Sequence, residues 1–568
     1  MAKRHQEKPD KSRYASVALG ALVIVAAVLV AYCPAMRAGY IWDDDFYVTK
    51  NTLLTAPDGL RRTWFSLDSP SQYFPLVYTT FRAERAVWGL NPTGYHVVNI
   101  LLHIANALLL WLVLSRLSVK AAWLAAAIFA VHPVHVESVA WITERKNVLS
   151  LFFSLLTMLA WLRCIEDGQP NRRRYWALAF VFYALALFSK TTAVTLPAAM
   201  LIVVWIKRRP VDRKRIVAVV PFVVWGILMG LVTVWWERYH QGTTGPEFAM
   251  SPIERILVAS RALWFYAGKL AWPSNLAFSY SKWGVSQAEP LQYVWLIGLI
   301  MIAAALYVWR ARIGRMPIGA VLFFVITPIP VLGFFSLYTF RYSYVADHYQ
   351  YVASVGLIAL AAALIAAALA RFGRAAILLP GVILIVLGSF TWRQCLVYKD
   401  AETLWRDTLA KNPTSAIAHS NLGRILLDRG QSEAAFGHFY AAARIAPHMP
   451  EVQNNLGVAL LRKGDIRRAE SSFRQAARSD PRYADPRINL AVVYLQEESF
   501  SRAESEAREA LKINPYLTEA RSNLGIALAQ QGRLDEAIEQ FREAVRLNPD
   551  DAQSRRNLDH ALSLRRSR

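Results

Sequence analysis

Asp43, Asp44 and Asp45 stand side by side just beyond an apolar stretch, Ser16 to Met36. Carboxylates this close repel one another, so at least one is expected to keep its proton to higher pH and to serve as a base. A solvated acidic turn is the plainer alternative. Other polar residues gather at the ends of apolar runs. His96, Asn99 and His103 share one helical face by their spacing of three and four. His132, His135, Glu137, Glu144, Arg145 and Lys146 cluster where one apolar run ends and the next begins, Ser189 and Lys190 occupy a later turn, and Arg341, Asp347, His348 and Tyr349 precede another run. Ionisable residues at membrane depth are expensive, and several converging on one side mark a candidate pocket. Carboxylate and cations together suit transfer from a lipid phosphate: Asp deprotonates the acceptor hydroxyl, and Arg or Lys stabilises charge on the departing phosphate. Arg145, Lys146, Lys190, Arg341, His348 and Tyr349 are the candidates for binding such a donor, and anchoring to lipid headgroups is the alternative role for each cation. The His132-Pro-Val-His135-Val-Glu137 run also has ligand types at metal spacing, but Pro133 breaks the helix such a site would use. No metal ligand is assigned and no cofactor is expected, although a carboxylate triplet leaves a divalent ion at the phosphate open.

These residues need a scaffold, and composition says which kind. Of the 568 residues 55% are hydrophobic, with 19 Trp, and apolar runs long enough to cross a bilayer recur through the first part of the chain. The net charge of +23 does not indicate nucleic acid. Its excess lies in short loops, Arg116 to Lys120, Arg163 to Arg174, Lys207 to Arg215, Arg310 to Arg315 and Arg371 to Arg374, as cytoplasmic loops of membrane proteins do. With the basic residues 1–15 cytoplasmic, the runs predict about eleven spans over 16–392 and a first outer loop over 37–93. The segment Ile253 to Trp272 carries Glu254, Arg255, Arg261 and Lys269, and is expected in the outer interface or as a re-entrant hairpin. Everything after Trp392 then lies outside the cytoplasm. Cys33, Cys164 and Cys395 are isolated, so no disulfide framework is indicated.

From residue 393 the composition turns to charged, Ala-rich helix with a fixed period. Asn421, Asn455, Asn489, Asn523 and Asn557 are 34 residues apart, as are Pro413, Pro447, Pro481, Pro515 and Pro549. Gly423, Ala435, Phe439 and Ala442 recur as Gly457, Ala469, Phe473 and Ala476. This is the tetratricopeptide-repeat (TPR) pattern, with full repeats at 416–449, 450–483, 484–517 and 518–551 and a capping helix over 552–568. Such solenoids bind extended peptides on a concave face. Asn421, Asn455, Asn489 and Asn523 either grip an acceptor backbone there or have a local role.

The stretches Trp42-Asp43-Asp44, Tyr73-Phe-Pro-Leu, Trp88-Gly-Leu-Asn-Pro-Thr-Gly-Tyr-His96, His132-Pro-Val-His-Val-Glu-Ser-Val-Ala-Trp141 and Ala346-Asp-His-Tyr349 resemble the transmembrane-and-TPR-containing (TMTC-type) O-mannosyltransferases and their bacterial relatives. The resemblance implies an all-α chain: a polytopic GT-C-like membrane domain followed by an α-solenoid. It implies a polyprenyl-phosphate-linked sugar donor and inverting transfer, mannose above all, to protein hydroxyls. By that match the base is Asp43 in preference to Asp44, which supports it; the clustering of polar residues, apart from the match, puts Asp45, His96, Asn99, His103, His132, His135 and Glu137 in the pocket. The chain has His348 where the family often has Arg, and Thr191 after the Ser-Lys pair where an acidic or other residue is common. The expected setting is a bacterial inner membrane, or the ER membrane in a eukaryote, with membrane lipids around the domain and the repeats periplasmic or lumenal. Two other functions stay open: a non-enzymatic membrane-anchored TPR scaffold, and a GT-C enzyme with a glycolipid or polysaccharide acceptor.

Overall fold

The computed structural model describes residues 11–67, 72–243, 245, 248–370, 372 and 375–566, and among them there is helix and no β-strand. The basic residues of the first ten positions, Arg371 and Arg374 lie outside the described residues. The chain divides into two compact units, Met1–Asp407 and Thr408–Arg568.

Among the described residues of the first unit six helices are long and apolar enough to cross a membrane: Tyr14–Ala31, Pro92–Arg116, Ile142–Cys164, Arg213–Tyr239, Pro290–Val308 and Leu378–Val397. A bent pair, Ala122–Val131 with Pro133–Ala140, makes a seventh if it is one span. The count by length and composition therefore stops short of the eleven expected, for local reasons. Pro133 has no amide to donate, and the pair bends by 53° there. The apolar helices Thr191–Ile206, Arg315–Val331 and Ser354–Leu369 are shorter, and Arg172–Ser189 opens with three successive arginines. The segment at 253–272 is one unbroken helix, Pro252–Ala271, not a hairpin. Ser251 and Glu254 close a capping box at its start, which satisfies two otherwise orphaned backbone amides and lets the helix run on from Pro252.

The stretch between the first two long apolar helices is packed against the rest of the unit. Its helix Pro75–Trp88 buries Val77, Tyr78 and Phe81 with Tyr47, Val48, Tyr95 and Ile142. Tyr47 stacks on Tyr78 with ring centroids 5.3 Å apart. Each fully buried side chain of this size contributes roughly 1.5–3 kcal/mol, enough to hold the acidic motif in one place.

The second unit is a run of helix pairs: Ala416–Asp428 with Ser432–Ile445, Pro450–Arg462 with Ile466–Ser479, Asp485–Gln496 with Phe500–Ile513, and Thr518–Gln530 with Leu534–Leu547, followed by Ala552–Arg566. Each periodic proline falls two residues after the second helix of a pair. Gly457 faces the Phe473 ring, and a Cβ there would stand 2.6 Å from Cε1. The third repeat shows the same constraint inverted: its counterparts are Ala491 and Ala507, a methyl where the ring has gone. Gly457→Ala is accordingly expected to destabilise the array by about 1–3 kcal/mol, read as lost hydrogen-exchange protection over 450–483, and Phe473→Ala in the same chain to relieve the clash.

The asparagine ladder is spent within the solenoid. Asn455 Nδ2 donates to Ser420 Oγ at 2.8 Å, and Asn489 Nδ2 to Asn454 Oδ1 at 2.9 Å, each a brace to the preceding repeat. Asn523 reaches back to the Ile488 carbonyl, and Asn421 donates to Ile417 O within its own helix. One N–H of each amide thus serves the local role, and the grip on an acceptor backbone expected of Asn421, Asn455, Asn489 and Asn523 would use the second N–H and the carbonyl oxygen.

Candidate active site

The three adjacent aspartates do not act as a triplet. Asp45 turns to the surface, where it pairs with Lys50 at 3.0 Å and accepts from Thr49. Asp44 is fully buried and clamped by donors: Ile41 N at 2.9 Å, Thr143 N at 2.9 Å and Thr143 Oγ1 at 2.6 Å. Asp43 is different. Its Oδ1 is buried and accepts no hydrogen bond among the described residues. Burial pushes the Asp43 carboxyl up to about 6, with the charge of Lys146 pulling the other way. Burial raises Asp44 to about 7, and Asp43 adds to the rise. The repulsion expected of three carboxylates thus operates between two, and desolvation outweighs it.

The residue before the pair is held under strain. Trp42 has φ 43, the left-handed region, which costs a bulky residue about 1–3 kcal/mol. Its ring stacks on Trp141 at 5.5 Å and meets the edge of Phe278 at 5.3 Å.

Beside the aspartates lies a buried charge network centred on Glu144. Its Oε1 pairs with Lys146 Nζ at 2.9 Å and its Oε2 with Lys190 Nζ at 3.4 Å. Lys190 also donates to Asn147 Oδ1 at 2.7 Å. Asn147 Nδ2 in turn bonds Glu144 and the His348 carbonyl. The His348 ring completes the cluster, 3.1 Å from Glu137 and 3.8 Å from Glu144. Lys146 lies over the rings of Tyr47 and Trp141, so aromatic faces share its charge. Burial lowers Lys190 to about 8, while Glu144 favours its charged form. A narrow cleft is lined by Lys190 and Asn147 together with Ser150, Thr192, Tyr349, Leu196 and Val331, so a cation, hydroxyls and hydrocarbon share one lining.

Several expected site residues have structural work instead. Arg145 is fully buried and clamps the helix Pro75–Trp88. It pairs bidentately with Glu84, its second nitrogen lying 3.1 Å from Glu84 Oε2, bonds Asn99, and donates to the Tyr95 carbonyl at 3.0 Å. Its donors are committed, which removes Arg145 from the donor-binding set and Asn99 from the open pocket. His103 bonds the Tyr351 hydroxyl and the Ala130 carbonyl, His135 bonds Phe129 O and Ser354 Oγ, and His132 bonds Leu270 O. These three histidines form a buried aromatic group with Tyr351 behind the site. Among the described residues no three His, Cys, Asp or Glu side chains converge as a metal-ligand set. His96 is buried on the same helix. Arg341 lies over Tyr338 and Phe248, and Tyr349 shares a short hydrogen bond with Thr339. Sequence reading missed Glu84, Thr143 and Asn147. Asn147 had a visible signal, directly following Glu144-Arg145-Lys146 at a helix start.

Residues 74–236 match the family model described as dolichyl-phosphate-mannose-protein mannosyltransferase. Residues 398–450, 454–518 and 518–551 match tetratricopeptide-repeat models. Protein O-mannosyl-transferase F38B6.6 of Caenorhabditis elegans is 26% identical over 450 residues, 75% of this chain and 62% of that protein. Protein O-mannosyl-transferase TMTC4 of Homo sapiens is 27% identical, covering 74% of this chain and 65% of that one. The mouse protein named TMTC1 is 24% identical, with 78% and 60% covered. The resemblance to TMTC-type O-mannosyltransferases is borne out. The chain spans about three fifths of the length of these relatives. Asp43 and Asp44 precede the matched mannosyltransferase segment, while Glu84, Glu144, Lys146 and Lys190 fall inside it.

Proposed function

We propose that this chain is a membrane glycosyltransferase that moves a sugar, mannose by resemblance, from a polyprenyl-phosphate donor to hydroxyl groups of a protein. The observation that carries the reading is a buried carboxylate with an unshared oxygen, Asp43, beside two buried lysines joined through Glu144. The lipid phosphate would sit at Lys190, whose cleft also offers hydrocarbon at Leu196 and Val331. Asp43 takes the proton of the acceptor hydroxyl as that oxygen bonds to the sugar's anomeric carbon. The bond from that carbon to the phosphate oxygen breaks on the opposite side, the configuration inverts, and polyprenyl phosphate leaves with its new charge against the lysines. Asp44, fixed by Thr143 and Ile41, holds the Asp43 backbone in place. Names of the relatives support a protein acceptor, and the repeats would present it.

The protonation states set the pH dependence. Asp43 acts only when ionised, so the rate should rise as the aspartate pair loses its proton between about 6 and 7. Lys190 holds phosphate only while protonated, so the rate should fall as pH passes about 8. A bell-shaped kcat/KM profile is expected, and Lys190→Arg should abolish its alkaline limb. A profile flat from pH 5 to 9 on the wild type would remove both assignments (the range brackets the two limbs by roughly one unit each).

A further inference from the structure

We infer that Trp405 is a positioning residue for Asp43, acting through Trp42; the inference rests on the reading of Asp43 as the base. Trp405 lies in the Ala401–Lys411 helix, far along the chain from the acidic motif, and is 1% exposed. Its ring meets the edge of Trp42 at 6.3 Å and 83°, and the edge of Phe278 at 5.3 Å and 89°. Trp42 is thereby boxed on three sides, by Trp141, Phe278 and Trp405. A second contact ties the same two segments together, as Gly39 N donates to Lys399 O at 2.8 Å.

The box explains how a strained residue persists. A tryptophan at positive φ keeps that conformation only where its surroundings over-determine it. Asp43 follows Trp42 directly, and with Oδ1 unbonded and Thr143 as its one side-chain hydrogen-bond partner among the described interactions, its aim follows the backbone Trp42 imposes. Trp141 also touches the site, through Lys146 and His348. Trp405 has no contact with the lysines or with Glu144 among the described interactions, so it acts on Asp43 by way of the box.

The test measures wild type, Trp405→Phe, Trp405→Leu and Trp405→Ala in full-length protein in nanodiscs, with polyprenyl-phosphate-mannose as donor. Trp405→Ala is expected to lower kcat by about tenfold to a hundredfold, as a misplacement near 1 Å does. KM for the lipid donor should stay within about twofold, because the Lys190 cleft is untouched, and Trp405→Phe should recover most of the rate. A readout independent of transfer is carbodiimide labelling of Asp43, followed by peptide mass spectrometry, which should rise several-fold in Trp405→Ala and stay near wild type in Trp405→Phe. Unchanged kcat together with unchanged labelling in Trp405→Ala overturns the inference, as does Trp405→Phe failing equally. If Trp405→Ala does not fold, Trp405→Leu, which keeps apolar bulk without the aromatic edge, decides on the same two criteria. If Asp43→Asn transfers normally, the base assignment falls, and labelling alone then decides the positioning role.

Discussion

Asp43→Asn is expected to lower kcat by about 10²–10⁴-fold, the contribution of a positioned general base, while the protein folds as before. The asparagine has the shape of aspartate but cannot take a proton. Stability should hold or rise. Burial raises the Asp43 carboxyl to about 6, so its ionised form is disfavoured in the folded state, and stability falls as pH climbs through that value. A neutral amide removes this penalty. Oδ1 accepts no hydrogen bond among the described residues, and an asparagine keeps one oxygen to accept from the Thr143 hydroxyl beside it. Steady-state transfer with intact-mass detection gives the rate, and thermal unfolding in detergent gives the stability. Asp44→Asn should differ on the second count: one of its oxygens receives two donors from Thr143 and the other one from Ile41, and an amide nitrogen cannot accept either.

Glu84→Ala should be the most damaging single change away from the aspartates, costing about 3–5 kcal/mol. It leaves the Arg145 guanidinium fully buried with its counter-ion gone. The helix Pro75–Trp88 would lose its ion-pair anchor to the start of the Arg145–Cys164 helix, and Arg145 would keep only its bonds to Asn99, the Tyr95 carbonyl and Thr80. Lys146 and Glu144 flank Arg145, so activity should fall with stability. The double variant Glu84→Leu, Arg145→Met should unfold at a higher temperature than Glu84→Ala, since no charge is left buried alone. Equal melting of Glu84→Ala and wild type would show that the pair carries no such burden.

Pattern and type were readable in the sequence where they recur locally. The period of 34 drew the repeats, and the Gly-to-Phe contact behind it is visible in the third repeat, where both partners change together. Adjacent aspartates and the His132–Trp141 stretch drew attention to two segments that the fold brings together, Asp44 bonding Thr143 and Trp42 stacking on Trp141. What sequence spacing cannot carry is which side chain meets which. Glu84 looks like one more charged residue on an amphipathic helix, and only the fold brings it to Arg145, 61 positions on. Arg145 and Lys146 are neighbours of like charge, yet helical geometry sends one to a structural clamp and the other to the carboxylate network. Asp45 parts from Asp43 and Asp44 for the same reason, since a turn of π-helix begins there and carries it to the surface. Span number was the weakest reading, because hydropathy does not register the bend at Pro133 or how short a helix becomes.

The measurement that bears most directly on the central claim uses the purified full-length chain in nanodiscs, given polyprenyl-phosphate-mannose and a protein extract from the compartment the repeats face. Intact-mass spectra of the extract proteins should gain hexose increments as polyprenyl phosphate is released, and both signals should vanish with Asp43→Asn. Unmodified proteins and intact lipid-linked sugar, with mannose and with other hexoses in turn, would contradict the account and leave the chain as a membrane-anchored repeat scaffold.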